Sequence, residues 1–325
     1  MTVKIALIGE CMIELNGEPF GQMQQQYGGD VLNTAIYLAR MIAGQAQVSF
    51  VSAMGCDALS RGMVACWQNE GINTDLVLHD EHHQPGLYLI QLDSSGERTF
   101  LYWRNDAAAR YLLQHPEFPQ VSVALAQQQI IYLSGISLAI LPQADREQLI
   151  AMLAEYQRHG AKIIFDSNYR PKLWASISEA RTCYQQLYAI TDLALVTLED
   201  EMAVWGDENL LSARDRLQAS KIKQAIIKVG AEGCYVQDFA DTTDPLTHYP
   251  APHITKVIDT TSAGDAFNAG FIAALITGKP LNIAVQMGQQ LAGRVIQFKG
   301  AIIPRTNMQE IIDQFSTSLA DCEEV

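Results

Sequence analysis

Residues 3–8 form a short apolar run rich in β-branched side chains and closed by Gly9, the pattern of a buried strand. Apolar positions then fall at 31, 32, 35, 36, 38, 39 and 42, the spacing of a helix with one buried face. The alternation recurs. Strand-like runs at 48–51, 130–133, 162–165, 193–196 and 225–229 are separated by helical stretches such as 143–158 and 199–205. Such a chain predicts an α/β fold, with a mostly parallel central sheet flanked by helices on both faces. Ligands on such sheets bind beyond the carboxyl ends of the strands.

One stretch breaks the alternation. Residues 87–91 and 98–103 are strand-like and flank the turn-rich segment 93–97, which predicts a hairpin. Hairpins do not belong to βαβ units. Residues of about 11–27 and 86–104 therefore predict a small antiparallel β lid above the main sheet, within one domain spanning 1–325. The alternative is an extra pair of strands at the sheet edge.

Composition narrows the partners. The 325 residues carry a formal net charge of −14, which repels nucleic acid and anionic membranes. The first residues hold an apolar run too short for a signal sequence or a membrane span. Six scattered cysteines, without a C-x-x-C pair, read as buried free thiols. A cytoplasmic protein is expected.

Candidate chemistry concentrates at residues 258–265, Ile-Asp-Thr-Thr-Ser-Ala-Gly-Asp, followed by a proline-free helical run at 266–276. A helix start offers unpaired N–H groups and the positive end of its dipole. The amides around Ser262, Ala263 and Gly264 can therefore hold phosphate oxygens as an anion hole. Asp265, in the first helical turn beside them, can accept a proton from an attacking hydroxyl. Taken singly, Asp259 and Asp265 could equally be helix-entry residues.

The segment 259–265 resembles the C-terminal signature of the PfkB (ribokinase-type) carbohydrate kinases, Asp-Thr-x-Gly-Ala-Gly-Asp. Residues 28–35, Gly-Gly-Asp-Val-Leu-Asn-Thr-Ala, resemble their N-terminal substrate motif. Ser262 departs from the pattern, which has glycine there. The resemblance runs end to end and implies a ribokinase-like fold, ATP and Mg²⁺ as cofactors, and Asp265 as the base. It also places Lys228, Gly230 and Gly233 in a nucleotide-contacting turn, where glycines let the backbone approach ATP. Asn168 would lie near the phosphates, with Ser262 and Gly264, and Arg170 would pair with an anionic group. Thr197 and Asp200 stand where many relatives carry Asn-x-x-Glu, so the metal ligands stay open, with Asp200 and Glu201 candidates through water.

Within the family, Tyr88, Tyr102, Trp103, Arg104 and Arg170 resemble the 2-keto-3-deoxygluconate kinases. Guanidinium groups suit a sugar carboxylate, and aromatics cover the sugar faces. Gly29, Asp30 and Asn33 would contact hydroxyls, with Asn33 both donating and accepting. The resemblance thus implies phosphorylation of a keto sugar acid at its terminal hydroxyl to give the 6-phosphate. Kinases of fructose or ribose, and a sugar-binding regulator without chemistry, are the alternatives. The expected partners are the sugar acid, ATP and, through an open lid edge, a second copy of the chain.

Overall fold

The computed structural model describes residues 2–18, 20–42, 44–92, 98–241 and 245–315. The turn expected at 93–97 and the tail with Cys322 lie outside the described residues. In chain order the strands are β1 (Val3–Ile8), β2 (Met12–Gly17), β3 (Met23–Gly28), β4 (Ala46–Gly55), β5 (Val77–Asp80), β6 (Gly86–Leu92), β7 (Arg98–Trp103), β8 (Ile130–Ser134), β9 (Lys162–Asp166), β10 (Leu193–Thr197), β11 (Gln224–Lys228), β12 (Cys234–Asp238) and β13 (Thr247–Tyr249).

Nine of them form one sheet in the order β13-β12-β11-β10-β9-β8-β1-β4-β5. The run from β11 to β5 is parallel throughout, and β12 and β13 add antiparallel strands at one edge. Period-two alternation sends side chains to opposite faces. Ile5 and Leu7 enter one core with the helices Asp30–Ile42, Ala263–Ile276 and Leu281–Val295. Ala6 and Ile8 enter a second core with Phe118–Leu125, Gln143–Arg158 and Ile177–Tyr188. Both faces of the sheet are therefore dry, which is why its strands read as unbroken apolar runs.

The remaining four strands form a separate sheet, ordered β3-β2-β6-β7. Each hairpin is antiparallel, and the two hairpins meet through a parallel seam between β2 and β6. That seam arises because the chain leaves the small sheet after β3 and returns to it only at β6, beside β2. The alternative of extra strands on the edge of the main sheet is thereby excluded. The expectation of buried thiols needs correction: Cys11, Cys183 and Cys234 are buried, whereas Cys56 and Cys66 are exposed. Cys66 lies on the helix Ala58–Asn69, whose buried positions are Ser60, Met63, Val64 and Trp67, so its side chain falls on the outer face. Among the described residues no helix is long and apolar enough to cross a membrane.

Candidate active site

Because the strands are parallel, their carboxyl ends gather on one edge. Glu10 follows β1, and Ser134, Asp166, Thr197 and Lys228 close β8, β9, β10 and β11. The helix Ala263–Ile276 begins at the same edge, as its contacts to Asp166, Lys228 and Asn33 establish.

Its entry explains the residue pattern before it. Asp259 is buried, and its carboxylate accepts from the Thr261 N–H at 3.0 Å and the Gly300 N–H at 2.7 Å. This carboxylate therefore holds the loop rather than taking part in chemistry. Ser262 sits at φ 65°, ψ 12°, a left-handed conformation that glycine adopts freely. Serine there carries strain on the order of 1–3 kcal/mol, and its buried Oγ lies toward the Asp265 carboxylate, which it favours in the ionised form.

The amide row differs slightly from expectation. The Ala263 N–H donates to the Thr260 carbonyl at 3.2 Å, while the N–H groups of Ser262, Gly264 and Asp265 find no backbone acceptor among the described residues. Of the expected row from Ser262 to Gly264 only Ala263 is thus engaged, and Asp265 adds a further open donor. A side chain on Gly264 would lie 3.6 Å from Lys228 Nζ, so an ammonium overhangs the helix start. Dipole, amides and ammonium all favour negative charge at this place.

Asp265 is drawn to the sugar motif. Asn33 Nδ2 donates to its Oδ2 at 2.9 Å, and Thr34 Oγ1 approaches its backbone carbonyl at 3.4 Å. Burial, and then the Asp30 carboxylate, push its pKa up to about 7 against the Asn33 hydrogen bond. Asp30 opens the helix Asp30–Ile42 and accepts from Asn168 Nδ2 at 2.6 Å. Asn168 has an unusual φ of 29°. Its side-chain amide therefore bonds to the sugar motif in this structure. Gly29 sits beside these groups because a Cβ there would lie 2.3 Å from the Glu10 carbonyl oxygen.

Lys228 is buried by a network that sequence reasoning did not find. Its Nζ lies 3.4 Å from Asp166 Oδ1 and donates to Asn268 Oδ1 at 3.1 Å. Asn268 Nδ2 in turn donates to Asp166 Oδ2 at 2.7 Å and to the Tyr132 hydroxyl at 3.0 Å. One signal was available: Asn268 lies three residues after Asp265, on the same helical face.

The two glycines of the turn after β11 have different surroundings. Gly230 has open space above it, but a Cβ on Gly233 would lie 2.1 Å from the Tyr249 carbonyl oxygen, and its φ is 106°. The approach of β13 therefore requires a glycine at 233. Glu201 is withdrawn as a metal candidate, being fully buried between the Tyr188 hydroxyl and Arg216. Asp200 remains partly exposed, 3.7 Å from Arg170, with burial pushing it up to about 6. Thr197 closes β10 nearby.

Around the small sheet the expected sugar contacts divide. Trp103 and Tyr102 are 59% and 50% exposed. Tyr88 is buried, donating to Glu14, and its ring lies 5.9 Å from that of Tyr102. Arg104 is also buried and ion-paired with Glu10, with its guanidinium 5.6 Å from the Tyr102 ring. Burial, and then the nearby Arg170 charge, lower Arg104 to about 10, so it stays cationic at neutral pH. The Arg170 charge is thus felt both by Arg104 and by Tyr102.

The sequence matches the family described as pfkB family carbohydrate kinase over residues 2–308. It is 52% identical over 318 residues to the 2-dehydro-3-deoxygluconokinase of Haemophilus influenzae, covering 96% of this chain and 99% of that protein. The fructokinase of Salmonella typhimurium is 26% identical over 325 residues, covering 97% of this chain and 100% of the relative. Aminoimidazole riboside kinase from Salmonella enterica, solved with aminoimidazole riboside and an ATP analog, shares the fold. It superposes with a TM-score of 0.78 at 21% identity, covering 96% of this chain and 99% of that one.

Proposed function

The chain belongs to the pfkB family of carbohydrate kinases, and from that we propose that it is a 2-dehydro-3-deoxy-D-gluconate kinase, moving the γ-phosphoryl group of ATP to the terminal hydroxyl. The product is the 6-phosphate. The carrying observation is the convergence of Asp265, held by Asn33, with the open amides of Gly264 and Asp265 itself.

In this reading the sugar hydroxyl gives its proton to Asp265 as its oxygen bonds to the γ-phosphorus, and ADP leaves with the electrons of the broken P–O bond. The amides and Lys228 hold the phosphoryl oxygens as charge spreads over them. A base with a pKa near 7 is well matched to neutral pH, since it is substantially unprotonated yet still a competent acceptor. Mg²⁺ would neutralise phosphate charge there and would need only one or two protein carboxylates. Asp200 fits that need, being partly exposed and ionised above about pH 6.

The sugar acid is favoured over a neutral sugar by Arg104 and Arg170, two guanidinium groups near enough to influence each other and suited to a carboxylate. The likeness also favours it, with 52% identity to the 2-dehydro-3-deoxygluconokinase against 26% to the fructokinase. The open edges of β3 and β7 support a homo-oligomer. A coupled ADP-release assay with 2-dehydro-3-deoxygluconate, fructose and ribose tests the reading. The sugar acid should give the highest kcat/KM, and a preference for fructose or ribose would overturn it.

A further inference from the structure

Arg104 is the residue immediately after β7, yet it is as deeply enclosed as the strand before it is open: its side chain is 8% exposed, whereas Trp103 is 59% exposed. A buried guanidinium beside a second one, Arg170, needs a counter-charge. Among the described residues the carboxylate paired with it is Glu10, itself 2% exposed. Glu10 belongs to the other body of the site. It follows β1 of the main sheet, and its carbonyl lies where a Cβ on Gly29 would come within 2.3 Å, so its backbone is packed against the sugar motif. The Glu10–Arg104 contact thus joins the root of the small sheet to the Gly28–Gly29 turn. Among the described residues Arg104 Nε is buried with no acceptor, and Nη2 has none beyond its contact with Glu10 Oε1.

We propose that Glu10 is a positioning residue for sugar-acid recognition. It fixes the Arg104 guanidinium at the seam between the two sheets and leaves the remaining donors of that group for the substrate carboxylate. This rests on the reading of the site as a sugar-acid kinase. Glu10 itself touches no substrate atom. It acts by removing rotamer freedom from a long side chain, so its loss weakens the acid specifically.

The experiment first assays the wild-type protein. If it does not phosphorylate 2-dehydro-3-deoxygluconate, the functional reading fails before Glu10 is tested. Given wild-type activity, Glu10→Gln should raise the KM for the sugar acid about tenfold or more and leave the KM for ATP within about twofold. Arg104→Gln should do the same, and the double variant should be no worse than Arg104→Gln alone, because the two residues act as one unit. Glu10→Asp keeps the charge and should recover part of the loss. It also serves if Glu10→Gln does not fold, by showing a raised KM for the acid with an unchanged KM for ATP. Equal losses in both KM values, additive effects in the double variant, or a lowered KM for the acid would each overturn the proposal.

Discussion

The floor of the site and the small sheet above it are built on opposite principles. On the floor, Asp265, Asn33, Asp30 and Asn168 are tied to one another, and Lys228, Asp166, Asn268 and Tyr132 form a second buried network beneath them. On the small sheet, Phe100, Leu101, Tyr102 and Trp103 of β7 are all at least 39% exposed, while Ile13 and Leu87 of β2 and β6 pack on the main core and Arg104 pairs with Glu10 at the root. Groups that stabilise a transition state are most effective when their orientation is fixed before reaction. Groups that cover a sugar need a surface that becomes dry only once the sugar is there. The contrast therefore assigns chemistry to the floor and selectivity to the sheet above.

The sharpest way to break that assignment is Asp265→Asn. It keeps the shape and a hydrogen-bonding partner for Asn33 but cannot accept the proton, so turnover should fall roughly 10²–10⁴-fold. The KM for the sugar and the melting temperature should change little. The wild-type kcat/KM should also rise with pH through about 7, because the raised pKa keeps Asp265 protonated, and so inactive as a base, below that value. Asp30→Asn removes the carboxylate that raises this pKa and should move the acid limb to lower pH. Near-wild-type turnover by Asp265→Asn would remove the floor from the chemistry altogether.

Lys228→Met tests the second network with a smaller expected effect. It strands the Asp166 carboxylate in a buried place, which should cost roughly 3 kcal/mol in a urea melt. Pairing it with Asp166→Asn removes both charges and should restore much of that stability. The KM for ATP should stay raised in both variants, since the ammonium near Gly264 is absent from each. If stability were unchanged in the single variant, the network would not be the rigid element the contrast requires.

Much of the fold was legible because it rests on local pattern. Unbroken apolar runs marked the strands of the main sheet, and the turn-rich segment at 93–97 marked the hairpin. Asp265 was legible for a similar reason, as a carboxylate in the first turn of a strongly apolar helix. The rest depends on which strands become neighbours. Asp166 meets Lys228 because β9 and β11 flank β10, and Glu10 meets Arg104 because the small sheet's last strand returns to the exit of β1. Those contacts join residues 62 and 94 positions apart, and no periodicity encodes them. Gly233 shows the same limit: the approach of β13 demands a glycine there, and no local pattern records that demand.

Trp103→Ala carries the smallest expected effect and sharpens the contrast most finely. The side chain is 59% exposed, so its removal takes little area out of a dry environment, and stability should move by no more than about 0.5 kcal/mol. If the ring covers the sugar, the KM for 2-dehydro-3-deoxygluconate should still rise several-fold, while the KM for ATP stays constant. The difference between a flat melting curve and a raised KM isolates recognition from folding, which no floor residue allows, since every group there is buried or hydrogen-bonded to another. A variant that bound the sugar acid as well as wild type would leave Trp103 as exposed surface, and selectivity would then fall to Arg104 and Arg170 alone.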